Sequence, residues 1–124
     1  MNTLQQTILT NKNNNLSVFF TAGFPSFEST KEILEILNTT DVDFIEIGIP
    51  FSDPLADGPV IQHSSTVALH NGMTLERLFD QLVEIKDQIS KPYLLMGYLN
   101  SLLAFGIENF YRKCNESGVH HIIM

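Results

Sequence analysis

Apolar and polar positions along the chain follow two rhythms, one suited to helices and one to strands. Leu4, Ile8 and Leu9 stand at helical spacing in a polar stretch, which predicts a short leading helix broken by the Asn-rich segment 11–15. Leu16 to Thr21 is a short apolar run of strand formers, stopped by Gly23 and Pro25. Ser26 is placed to cap a helix whose Phe27, Thr30, Leu34 and Leu37 share one face, with Lys31, Glu32 and Glu35 mostly on the other. Asn38-Thr39-Thr40 closes it. Val42 to Ile47 predicts a second strand. Gly48, Pro50, Pro54, Gly58 and Pro59 crowd the next stretch, so Gly48 to Gly58 is a loop, and Pro59 suits the first position of a helix. On that helix Val60, Ser64, Val67 and Ala68 share a face, and Asn71-Gly72 ends it. Thr74 caps a stronger helix with the stripe Leu75, Leu78, Phe79, Leu82, Ile85 and Ile89, stopped by Pro92. Tyr93 to Met96 is a third strand ended by Gly97. A helix from about Ile107 to Ser117 follows, with Gly118 as its C-terminal glycine, and Val119 to Met124 is a fourth strand.

Strands and helices therefore alternate, which argues a parallel sheet with helical crossovers. The gap between the second and third strands is about twice the others, and the excess is the Gly/Pro-rich loop plus a short helix. Parallel sheets carry function at the C-terminal ends of their strands, in loops that lead to helices. The longest such loop runs from Gly48 to Gly58. The 124 residues fit one compact unit, and 44% apolar with 17% charged residues is a globular composition. Seven basic against fourteen acidic residues give a net charge of −7, which argues against nucleic acid as a partner. The polar segment 1–15 holds no apolar signal region. The uncharged stretch from Pro92 to Ile107 is shorter than the ~20 apolar residues of a membrane helix. A cytoplasmic protein with no membrane association is expected.

Two acids carry the chemical interest. Along the second strand Ile45, Ile47 and Ile49 share one side, and Phe44 and Glu46 the other. The Ile side suits helix packing. In an α/β barrel this leaves Glu46 facing the axis near the C-terminal mouth. Partial desolvation there raises an acid toward the range useful for proton transfer. Asp57 stands just before Gly58-Pro59 and a helix start, where the helix N-terminus favours its ionised form. Two carboxylates pushed in opposite directions make an acid/base and electrostatic pair. On pattern alone Asp53 and Asp57 are also ordinary turn and cap residues. Their presence in the longest strand-to-helix loop is what raises their interest.

No metal is expected. His63 and His70 lie two turns apart on one helix, roughly 10 Å, and the adjacent His120 and His121 point to opposite sides of a strand. Cys114, the only cysteine, sits with Phe110 on a helix face and reads as core. There is no Gly-rich phosphate fingerprint.

The run Phe44-Ile45-Glu46-Ile47-Gly48-Ile49-Pro50-Phe51-Ser52-Asp53-Pro54-Leu55-Ala56-Asp57-Gly58-Pro59-Val60-Ile61-Gln62 closely resembles the signature of the tryptophan synthase alpha chain family. Phe19-Phe20-Thr21-Ala22-Gly23-Phe24-Pro25 and Leu95-Met96-Gly97-Tyr98-Leu99-Asn100 support it. The resemblance implies a (β/α)₈ TIM barrel, of which the first four strands and a leading helix are present. It implies retro-aldol cleavage of indole-3-glycerol phosphate to indole and glyceraldehyde 3-phosphate, in tryptophan biosynthesis. By resemblance Glu46 is the general acid/base, and Asp57 faces the indole N–H and stabilises the positive indolenine-like intermediate. Phe19 matches a residue lining the indole pocket, as does one of Leu94 and Leu95, with Leu95 the one assigned. Tyr98 and Asn100 fall in the third active-site loop, Tyr98 toward substrate and Asn100 toward the partner. Asp53 and Pro54 fall in the second loop, which touches the beta chain. The resemblance implies a heterotetramer of two alpha and two beta chains, with pyridoxal phosphate in the beta chain only and no cofactor or metal in the alpha chain.

A complete barrel needs ~250 residues. Residues 1–124 are accordingly read as the N-terminal half of one barrel domain, ending within the fourth strand. The phosphate-gripping loops of strands 7 and 8 are not in this stretch, so the piece alone is expected to be inactive. The alternative is a half-barrel interaction module that binds the beta chain without catalysis. His120 and His121 also stand where the family usually has an acidic and then a small residue.

Overall fold

The computed structural model describes residues 4–11 and 14–124. Its elements are α1 (Leu4–Thr10), β1 (Ser17–Thr21), α2 (Ser29–Asn38), β2 (Phe44–Gly48), α3 (Pro59–His70), α4 (Leu75–Ile85), a 3₁₀ turn (Lys86–Gln88), β3 (Tyr93–Met96), α5 (Leu99–Phe105), α6 (Ile107–Glu116) and β4 (Ile122–Ile123). The strands form one parallel sheet in the order β1-β2-β3-β4.

Ile45, Ile47 and Ile49 point into the core, as their alternation with Glu46 requires. Each fully buried Ile contributes roughly 1.5–3 kcal/mol relative to an exposed one. Val18, Phe20, Leu95 and Ile122 join them from the neighbouring strands. The helices supply Leu34, Ala68, Leu78, Phe79, Leu82, Phe110 and Cys114. Phe79 and Phe110 meet edge to face with centroids 5.6 Å apart. This core lies on one face of the sheet. The registered residues of the other face, Phe19 and Glu46 among them, are outside it.

Polar staples set the spacing of these parts. Asp43 accepts from the Leu16 N–H at 2.7 Å and from Asn11 at 2.9 Å, tying the segment after α1 to the start of β2. Asn38 accepts from the Ser90 and Lys91 N–H groups and donates to the Gln88 carbonyl, fastening the end of α2 to the approach of β3. Thr21 and Ser64 share a buried 2.7 Å hydrogen bond between β1 and α3. Thr74 caps α4 by accepting from the Arg77 N–H. Gly118 follows α6 with φ +75°, as a C-terminal glycine does.

The structure departs from the sequence pattern in several places. The expected break at 11–15 falls partly outside the described residues. α2 starts at Ser29 rather than behind a Ser26 cap; Ser26 instead donates its N–H to Ser29 Oγ at 3.1 Å, holding a preceding turn. On α3 the buried residues are Ser64, Ser65 and Ala68, and Val60 is 78% exposed. Ser64 and Ala68 thus lie on the expected face, whereas Val60 in the first turn faces solvent and Ser65 is buried beside them. α5 is an extra helix where no element was expected. Leu99, Leu102 and Leu103 have helical spacing, but only Leu102 is buried, so the stripe is too narrow to read. β4 pairs only Ile122 and Ile123 with β3, so it is shorter than Val119–Met124.

Burial pushes the Cys114 thiol up to about 11 and, with a smaller push from Asp87, the Tyr93 phenol up to about 12. Tyr93 donates its proton to the Ser117 carbonyl at 2.7 Å. Unfolded, these groups ionise near 9.0 and 10.0. Between those values and the folded ones the unfolded chain sheds protons that the folded chain keeps. Their contribution to stability is thus complete below pH 9 and is lost as pH rises toward 12. Urea midpoints of the complete protein are expected to fall steadily above pH 9, and Cys114→Ala to flatten the first part of that fall. A profile level from pH 9 to 11 would contradict the burial argument.

Candidate functional site

The register aligns Phe19 of β1, Glu46 of β2 and Leu94 of β3 across the face that carries no helices. Parallel partners point the same way, so these three form a row. Glu46 is half-buried there, and Ser17 donates weakly to its Oε2 at 3.4 Å. Gly48, one layer further along, has no side chain because Phe19 occupies the space. A Cβ on Gly48 would lie 2.5 Å from Phe19 Cζ. The aromatic ring therefore leans along β1 toward the C-terminal end, beside the start of the 48–58 loop.

The assignment of Leu95 to this face is corrected by the register. Leu95 pairs with Ile47, is 0% exposed and belongs to the helix-side core. Leu94, 2% exposed and outside that core, takes the place beside Glu46. Two adjacent leucines look alike in sequence, and only the pairing of β2 with β3 separates them.

The loop leaving β2 folds on itself. The Leu55 N–H donates to the Asp53 carbonyl at 2.8 Å and the Asp57 N–H to the Pro54 carbonyl at 3.1 Å. Gln62, on the first turn of α3, donates to the Asp57 carbonyl at 2.8 Å. Asp57 is half-buried and directly precedes Gly58, which opens α3 in extended backbone. Asp53 is exposed and accepts from Ser52 Oγ at 2.9 Å; Pro54 is half-buried. Leu55 is 89% exposed at the loop's rim.

Tyr98 stands just before α5 and Asn100 in its first turn, so the expected third loop is a helix start. Asn100 is exposed. The Tyr98 ring stacks on Phe51 with centroids 5.1 Å apart, and its hydroxyl lies 3.2 Å from Asp57 Oδ2. The structure thus brings Glu46 and Phe19 together on one face, and Asp57 and Tyr98 together at its rim. Sequence reasoning named Leu94 only as the alternative to Leu95, and missed Ser17 and the stacking of the Phe51 ring; the alternation that placed Phe44 and Glu46 would have found Ser17 once β1 and β2 were aligned.

Cavities of about 340 and 380 Å³ open at the other end of the strands, beside Lys91 and Pro92, and neither is lined by Glu46 or Asp57. Chemistry in parallel sheets belongs to the C-terminal ends, so the carboxylate face is the candidate site. Among the described residues no three His, Cys, Asp or Glu side chains gather as a metal centre. No helix among them is long and apolar enough to cross a membrane.

Comparison with known proteins bears on this arrangement. The family model described as "Tryptophan synthase alpha chain" matches residues 5–124. A tryptophan synthase alpha chain of Christiangramia forsetii is 54% identical over 109 residues, 88% of this chain and 43% of its own. That of Phocaeicola vulgatus is 48% identical over 124 residues, 100% of this chain and 48% of its own. Among solved structures, tryptophan synthase subunit alpha of Legionella pneumophila superposes with a TM-score of 0.91 at 34% identity, covering 100% of this chain and 49% of its own. Tryptophan synthase of M. tuberculosis in its aminoacrylate-bound form gives 0.83 at 25% identity, over 92% and 46%. The chain spans about half the length of the curated relatives it matches. Its sheet is a partial (β/α)₈ barrel. With the family model covering nearly all of it, the chain belongs to the tryptophan synthase alpha chain family.

Proposed function

We propose that this chain contributes the carboxylate-bearing half of a barrel that cleaves indole-3-glycerol phosphate to indole and glyceraldehyde 3-phosphate. The observation that carries the reading is the row Phe19, Glu46, Leu94: one acid between two apolar side chains on the helix-free face. A flat aromatic substrate fits such a row, with its ring against Phe19 and Leu94 and its reacting carbon at Glu46.

The reaction needs a proton on the ring carbon that bears the glycerol chain. It also needs a proton removed from the hydroxyl on the adjacent carbon. The carbon–carbon bond then breaks, its electrons restore the aromatic ring, and the hydroxyl carbon becomes the aldehyde. Glu46 serves both transfers, giving one proton and taking the other. Protonation of the ring carbon puts positive charge on the ring nitrogen, and Asp57 supplies the opposing charge. The reading requires no metal or cofactor in this chain.

The loop from Gly48 to Gly58 is in this reading also the surface for a beta chain partner. Leu55 within it and Val60 just beyond it are exposed apolar side chains, and Pro50 and Pro54 limit the entropy lost on docking.

In the complete polypeptide, Glu46→Gln keeps the size and removes the acid, so indole release is expected to fall by ~10²-fold or more. Near wild-type turnover in that variant would remove Glu46 from the mechanism. Asp53→Ala, at an exposed residue, is expected to weaken activation by the beta chain more than unassisted cleavage; equal losses in both would confine the loop to chemistry. The 124-residue chain by itself has β1 and β4 as open edges of its sheet. It is expected to self-associate and to release no measurable indole. Light scattering with an indole assay reads both, and a monomer that turns over substrate would refute the expectation.

A further inference from the structure

The Tyr98 hydroxyl has two partners, and their chemistry fixes its direction. It lies 3.0 Å from the Ala56 backbone nitrogen and 3.2 Å from Asp57 Oδ2. The amide can only donate, and the phenol has one proton to give. The Ala56 N–H therefore donates to the Tyr98 oxygen, and the Tyr98 proton goes to the Asp57 carboxylate. The ring meanwhile stacks on Phe51, near the start of the same loop. Tyr98 is itself anchored: the preceding Gly97 donates its N–H to the Ile123 carbonyl at 3.0 Å, and the Ser101 N–H donates to the Tyr98 carbonyl at 3.0 Å. One side chain fixed at the end of β3 thus grips the loop of β2 at both ends.

We infer that Tyr98 is a positioning residue, a latch that holds Asp57 by Oδ2 and presents Oδ1 to the N–H of the substrate ring. This rests on the indole-3-glycerol phosphate reading. It also differs from a direct substrate contact, because the Tyr98 hydroxyl is already engaged by the loop. An exposed loop carboxylate without such a bond samples several rotamers, and a charge-assisted hydrogen bond selects one. The backbone bond to Ala56 keeps Asp57's neighbour from drifting, so the carboxylate and its peptide are fixed together.

Tyr98→Phe keeps the stack on Phe51 and deletes the latch. In the complete protein it is expected to lower kcat about tenfold and to leave KM within about twofold. Added to Asp57→Asn, it is expected to change kcat by less than about twofold, because the group it acts through is already gone. Independent, multiplicative losses would overturn the inference. Phe51→Leu removes the stack and keeps the hydroxyl, so its loss in kcat is expected to be the smaller. A loss equal to that of Tyr98→Phe would assign the effect to packing instead. Amide exchange provides a readout that needs no substrate: exchange of the Ala56 N–H is expected to speed about tenfold in Tyr98→Phe. Unchanged exchange would show that no latch exists. If the wild-type protein releases no indole, the functional reading fails, and the exchange arm still decides the latch.

Discussion

Side chains alternate across a strand, so every residue of β2 that packs against helices commits its neighbours to the opposite face. Ile45, Ile47 and Ile49 are buried among helices, which leaves Phe44 and Glu46 nowhere to go but the open face. The burial of three isoleucines offsets the cost of holding a carboxylate half out of water. A slip of one residue between β1 and β2 would turn the isoleucines outward and Glu46 into the core. That would forfeit several kcal/mol of burial and desolvate a charge. The register that makes the core is thus the same constraint that aims the acid.

The loop after β2 meets a different constraint. It carries many backbone polar groups at the edge of the core, and they must be satisfied without a sheet. Short-range bonds from Leu55 to Asp53 and from Asp57 to Pro54 do part of this, and Gln62 reaches back from α3 for the Asp57 carbonyl. Pro50 and Pro54 restrict the unfolded chain, so less entropy is lost when the loop settles. The Ala56 amide finds the hydroxyl of Tyr98. Leu55 points into solvent because the turn that satisfies its N–H leaves its side chain no core to enter.

Much of this was legible in the sequence where the signal is local. The parity of β2, the Pro59 start of α3, the Thr74 cap and the long stripe of α4 each follow from residues a few positions apart, and each is as expected. What was not legible depends on contacts distant in sequence. Leu94 and Leu95 are equivalent until β3 pairs with β2. On α3 the burial of Ser65 and the exposure of Val60 leave no trace in the apolar pattern, and the Thr21 partner of Ser64 lies a strand away. α5 buries one leucine and so leaves almost no periodic trace. The carboxylates themselves stood out by position. The partners that hold them, Ser17 for Glu46 and Tyr98 for Asp57, lie far from them in sequence and emerge only when those segments meet.

The two carboxylates are held in ways that suit different tasks. Glu46 sits on β2, which is hydrogen-bonded to β1 on one side and β3 on the other. Its backbone has no freedom that does not break a ladder. In the proposed reading Glu46 must meet one carbon and one hydroxyl within about 3 Å, which needs that rigidity, since proton transfer falls off steeply with misplacement. Asp57 sits on a loop and is held by side chains. In the same reading Asp57 opposes a developing charge through a potential that declines only as the inverse of distance, so it tolerates more slack than a proton-transferring group while still depending on the Tyr98 bond for its orientation. The slack has a use, because the same loop presents Leu55 to solvent beside Asp53. In this reading a partner that docks on that rim tightens the loop and shifts Asp57 without disturbing the sheet. In the proposed reading, placing the proton-transferring acid on the strand and the electrostatic one on the loop lets cleavage respond to a partner, while the residue that can least tolerate movement stays still.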